Sequence, residues 1–109
     1  MNLEELRTKL IESTGLPVAY RSFEIDKPPS IPFIVYYVVQ RDDEHADDRV
    51  FVKNSAVNIE LYFVRKDLSL ENKLESFFDE IGIVYSVYEE SIEEEKMMSR
   101  TYEFDLMGD

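Results

Sequence analysis

Phe33, Ile34, Val35, Tyr36, Tyr37, Val38 and Val39 form an unbroken run of β-branched and aromatic side chains, and no other segment constrains the fold as tightly. Such residues favour a pleated backbone, and an apolar run without alternation belongs to a strand covered on both faces. The run predicts a strand near the centre of a sheet, so other segments must cover it. Leu3, Leu6, Leu10 and Ile11 recur at helical spacing before Gly15 and Pro17, which predicts an amphipathic helix over residues 2–14. Leu70, Leu74, Phe77, Phe78 and Ile81 trace a second helical face, with Asp67 or Ser69 as N-cap and Gly82 just past the end.

Between and after the helices the period changes from helical to alternating. Val18 to Phe23 is a short β-prone segment, followed by Asp26, Lys27, Pro28, Pro29, Ser30 and Pro32, which sustain neither ladder nor helix. Val50 to Val52 and the alternating Val57, Ile59, Leu61 and Phe63 predict one long strand, or two joined by a bulge near Asn54 and Ser55. Ile83, Tyr85 and Val87 predict a further strand, and Tyr102, Phe104 and Leu106 the last. The order is α-β-β-β-α-β-β. It implies an α+β fold: a four- or five-stranded antiparallel or mixed sheet with two helices packed against it. The expected core is Leu6, Leu10, Val35, Ile59, Leu61, Leu74, Phe77, Phe78 and Phe104. With 109 residues the chain has length for one core and not two, so residues 1–109 read as a single domain.

Charge is distributed unevenly. Asp42, Asp43, Glu44, Asp47 and Asp48 make one acidic cluster, and Glu89, Glu90, Glu93, Glu94 and Glu95 another. Together they hold 10 of the 24 acids and no base, leaving 12 bases against 14 acids elsewhere. The two segments are therefore the candidate interaction loops, set on an otherwise nearly neutral surface. Like charges packed this closely repel, so residues 41–49 and 89–96 read as solvated segments that contribute little to folding, the first of them mobile until it meets a partner. Binding to a phosphate backbone relies on Lys and Arg, so no specific nucleic-acid binding is expected.

The same composition removes most catalytic schemes. The absence of cysteine excludes disulfides, thiolate metal sites and cysteine nucleophiles, and fits a reducing compartment. The stretch Met1 to Ser13 mixes charges with spaced leucines, unlike a signal peptide, and the longest apolar run is too short to span a bilayer, so no membrane association is expected. His45 is the only histidine, and among five carboxylates it reads as a solvated loop residue. Residues 42–48 lack the turn glycine and closing glutamate of a calcium loop, so no metal is expected. A run of adjacent glutamates is a solvated face, whereas general acid work needs a buried carboxyl with a raised pKa. Glycines stand only at 15, 82 and 108, in no phosphate-binding arrangement. No catalytic residue and no cofactor are therefore assigned. The tyrosines at 20, 36, 37, 62, 85, 88 and 102 keep acidic company, which suits a sheet core or a protein interface better than a base-stacking platform.

Several stretches together carry a family resemblance: Ile31 to Tyr37, Asn58 to Tyr62 through Lys66 and Asp67, Leu70 to Glu75, Ile81 to Tyr85, Ile92 to Met97 and Tyr102 to Leu106. In these the chain resembles the tail terminators of long-tailed phages and prophages, also called tail completion or head-tail joining proteins. The resemblance spans most of the chain and rests on structural motifs. It implies a non-enzymatic α+β subunit that assembles with itself into a ring, commonly a hexamer. Its further partners would be tail tube and head-connector proteins, and its locations the host cytoplasm during assembly and then the virion. Two other classes compete: an acidic inhibitor that mimics DNA and occupies a nucleic-acid-binding protein, and a small hydrolase or isomerase.

Overall fold

In the computed structural model, residues 1–23, 29–46 and 49–107 are described. Helix α1 spans Leu3–Thr14, β1 Val18–Tyr20, β2 Phe33–Arg41, β3 Glu44–Ala46, β4 Arg49–Val52, β5 Asn54–Phe63, α2 Leu68–Glu80, β6 Tyr85–Ile92 and β7 Met97–Met107, with a short 3-10 turn at Glu93–Glu95 between the last two. Five strands form one sheet in the order β1-β2-β5-β7-β6, and β3 and β4 pair in a separate two-stranded ribbon. β1 runs parallel to β2 and every other neighbour in the large sheet is antiparallel, so the sheet is mixed.

Each helix is bounded by the chemistry its sequence provides. The Asn2 side chain accepts the Glu5 amide at 2.8 Å, and Gly15, at φ 72°, closes α1 by donating to Ile11 O. Asp67, and not Ser69, caps α2 by accepting from Leu70 N at 3.1 Å. Gly82 follows α2 at φ 74°, letting the Ile83 amide reach Phe78 O at 3.0 Å. Leu6 and Leu10 of α1, with Leu70, Leu74, Phe77 and Phe78 of α2, pack on one face of the sheet against Ile34, Tyr36, Val57, Ile59, Leu61, Tyr102, Phe104 and Leu106. Phe78 stands at the centre, its ring within 5.6 Å of those of Phe77, Tyr85, Tyr102 and Phe104.

Three expectations need correction. The central strand is β5, flanked by β2 and β7; β2 lies one place from the edge, and its Val39 is exposed. Only Ile34, Val35 and Tyr36 are buried, because the three residues of β1 cover no more of its length. Val35 is buried but faces away from the helices, outside their core cluster, since strand alternation sends it to the opposite side from Ile34 and Tyr36. Residues 50–63 form two strands in two different sheets, with the break at Lys53.

The connection from β2 to β5 is itself a hairpin. Arg41 pairs with Ser55, the Asp42 amide donates to Asn54 O, and Glu44, His45 and Ala46 then pair with Val52, Val50 and Arg49. The β2–β5 ladder thus continues through a short break into the β3–β4 ribbon. Within β2 the register slips between Val38 and Gln40, leaving Val39 as the extra residue and reversing side-chain parity beyond it. Gln40 pairs with Ala56 on the helix-free face, and Arg41 with Ser55 on the helix side.

Candidate functional site

The described residues of the first acidic segment include a paired strand and a fixed joint. Glu44 lies in β3, and Asp43 is a structural joint: the Arg41 guanidinium donates to both of its oxygens, at 3.0 and 2.7 Å, and the Asn54 amide donates to Oδ1 at 2.9 Å. A carboxylate that accepts three bonds fixes the place where the ladder leaves the main sheet. Asp42 is exposed. Asp47 and Asp48 lie outside the described residues, as does part of the proline-rich connection, residues 24–28.

The second acidic segment is also more structured than its composition suggests. Glu89 and Glu90 belong to β6 and point to opposite faces, while Glu93, Glu94 and Glu95 form the exposed 3-10 turn before Lys96, at φ 53°, enters β7. Glu89 is drawn into a charge network on the helix side that the sequence reading did not identify. Arg100 of β7 donates through Nη1 to Glu89 at 2.9 Å, through Nη2 to Glu75 at 3.3 Å and through Nε to the Tyr102 hydroxyl at 2.8 Å. Its Nε also lies 3.5 Å from Glu71, whose side chain is only 6% exposed. Lys66 pairs with Glu71 at 2.9 Å and with Glu89. Tyr102 and Tyr85 donate their hydroxyls to Glu75 at 2.9 and 3.2 Å.

Three carboxylates and two cations share this cluster, and the two tyrosines are uncharged donors. Burial, with the bond to Glu75, holds the Tyr102 hydroxyl well above the usual tyrosine range against the opposing pull of Arg100. Hydrogen bonds from Lys66 and Arg100 outweigh burial at Glu89 and hold its carboxyl below the usual range. Glu89 is therefore a fixed acceptor near neutral pH. A signal for the network was present: Arg100 stands in the inward phase of Tyr102, Phe104 and Leu106, and Glu71 and Glu75 are one turn apart beside the apolar stripe of α2.

The other side of the sheet carries no helix among the described residues. Across it, cross-strand partners place Phe33 beside Tyr62 and Ser99, Val35 beside Glu60 and Thr101, and Tyr37 beside Asn58 and Glu103. Tyr88 and Glu90 extend two of these rows onto β6. Glu60 accepts the Tyr37 hydroxyl at 3.1 Å and the Tyr62 hydroxyl at 2.9 Å, and Asn58 Nδ2 donates to Tyr37 Oη at 3.4 Å. Phe33 stacks on Tyr62, with centroids 5.1 Å apart. Arg21 borders the face, its guanidinium 5.9 Å from the Tyr37 ring.

Among the described residues no group of three or more His, Asp or Glu side chains is placed to hold a metal ion. No helix among them is long and apolar enough to cross a membrane. The recess between α1 and α2 is lined by solvated groups such as Lys9, Glu12, Asn72, Lys73 and Glu80. No protein-family model matches the chain, and no curated protein matches it.

Proposed function

We propose that this chain is a structural subunit of virion assembly, a ring-forming tail terminator or head-tail joining protein of a phage or prophage, and not an enzyme. The observation that carries the reading is the β2–β5 hairpin prolonged into the β3–β4 ribbon, an arm beyond the main sheet that bears the first acidic segment. A second observation supports it: the stretches that carry the resemblance fall on β2, β5, the cap and first turns of α2, the turn into β6, and β7, so they belong to the sheet and one helix of a single fold.

The physical case for assembly rests on edges and surfaces. Among the described residues strand β6 pairs with β7 along one side only, and an unpaired strand edge invites another chain. Repeated head-to-tail contacts of this kind close into a ring when the rotation permits. In this role the subunit meets copies of itself, the tail tube and the head connector, and its acidic segments keep passing DNA from adhering. Native mass spectrometry and light scattering, with and without tail tubes, test the reading. A ring in either condition is the expected outcome; a strict monomer in both overturns it. Encoding between capsid and major tail protein genes is the matching expectation at the genome.

A further inference from the structure

We infer that the helix-free face of the sheet is a docking surface for a lysine- or arginine-bearing segment of a protein partner. The strand positions of this face carry acids only, with Arg21 at the border beside Tyr37. Glu60 of β5, Glu90 of β6 and Glu103 and Asp105 of β7 all lie on it by register, and none of these carboxylates forms an ion pair among the described residues. No described strand position on this face carries Lys or Arg, because the bulge at Val39 turns Arg41 to the helix side.

Charge is joined by hydrogen-bonding groups that have no partner. Asn54 Oδ1, on the same side as Ala56 and Asn58, is buried and accepts no hydrogen bond. Ser99 and Thr101 are 5% and 2% exposed, yet their hydroxyls bond to no other residue. Buried polar atoms are nearly always satisfied, so the orphan Asn54 acceptor at one end of the face, with the unbonded Ser99 and Thr101 hydroxyls towards the other, leaves hydrogen-bonding capacity for groups that arrive from outside. Lysine and arginine carry donors and no acceptors, which matches this set.

Apolar contact is available at the same place. Val39 is 57% exposed and Tyr88 42% exposed, and the half-buried rings of Phe33, Tyr37 and Tyr62 share the face with them. Aromatic anchors beside carboxylates suit the stems and heads of long basic side chains. A second copy of this chain, with net charge -12, is a poor occupant on electrostatic grounds.

The test uses the intact chain and a labelled peptide of alternating lysine and valine, whose period of two sets its charges along the strands. Fluorescence anisotropy compares two triple variants that each remove three exposed carboxylates. One is Glu90→Gln with Glu103→Gln and Asp105→Asn on the face; the other is Glu12→Gln with Asp79→Asn and Glu80→Gln on the helices. The face variant should bind about tenfold more weakly and the helix variant within about twofold of the parent, with amide shift changes confined to β2, β5, β6 and β7. Equal weakening by the two triples means attraction to net charge alone and overturns the proposal, as do shift changes centred on α1 and α2. These substitutions touch exposed side chains, and an unchanged thermal midpoint shows that binding and not folding is read. Ring formation is measured separately, so either reading can fail without the other.

Discussion

Replacing Arg100 by Met removes the cation on which three carboxylates converge while keeping the length of its apolar stem. Arg100 is 16% exposed at its side chain and Glu71 6%, whereas Glu75 and Glu89 are 29% and 26% exposed. Breaking a fully buried ion pair from one side costs about 3–5 kcal/mol. Two of the three carboxylates here keep contact with water, and Lys66 remains beside Glu71 and Glu89, so the expected cost is reduced to about 2–3 kcal/mol. At this chain length that lowers the thermal midpoint by roughly 10 °C.

The pH dependence separates charge from lost packing. The Glu89 carboxyl is held below its unfolded value by Lys66 and Arg100, so its contribution is complete above the unfolded pKa of about 4.5 and is lost as pH falls through the folded value. Without Arg100 less of that contribution exists to lose. Thermal unfolding followed by circular dichroism should therefore show a wide gap between parent and Arg100→Met at pH 7 and a narrower one at pH 3. Adding Glu75→Gln to Arg100→Met should recover part of the loss at pH 7, because one unpaired carboxylate has gone. A gap of equal size at both pH values would refute the electrostatic account, and a midpoint that moves by less than about 2 °C would show that the network contributes nothing to the fold.

Other perturbations test the remaining structure. Phe78→Ala, which empties the site where four rings meet, should cost about 3–5 kcal/mol by chemical denaturation; a loss below about 1 kcal/mol would contradict the packing of α2 on the sheet. Asp43→Ala should cost about 1–3 kcal/mol through the unsatisfied Asn54 amide and the freed Arg41, while exposed Asp42→Asn leaves stability within about 0.5 kcal/mol; equal effects would mean that the two aspartates are equivalent. Gly82→Ala should cost about 1–2 kcal/mol from its left-handed backbone alone, since nothing lies within 4 Å of the added methyl group, and a neutral result would place the turn in another conformation.

Both helices, the glycines that end them and the alternating strands were legible in the amino-acid sequence because each depends on residues close together in the chain. Leu3, Leu6 and Leu10 repeat at one helical period, Val57, Ile59, Leu61 and Phe63 at the strand period, and Gly15 and Gly82 stand where left-handed backbone ends a helix. Composition likewise set the absence of thiol chemistry and of a second histidine. What local pattern does not encode is which strands become neighbours. β7 enters the sheet between β5 and β6, and only that order brings Arg100 against Glu89 of β6 and Glu71 and Glu75 of α2. The same order gives Asp43 its place: read as one of five repelling charges, it becomes a joint because the chain returns at Asn54 with a free amide and Arg41 lies two residues away. One extra residue at Val39 keeps Arg41 off the helix-free face, since parity beyond a bulge depends on the pairing partner and not on β2 itself. Period is a property of neighbours along the chain, and register is a property of pairs far apart in it. The sequence therefore determined which segments are helices and strands, while tertiary structure alone decided which charges are buried, paired or exposed.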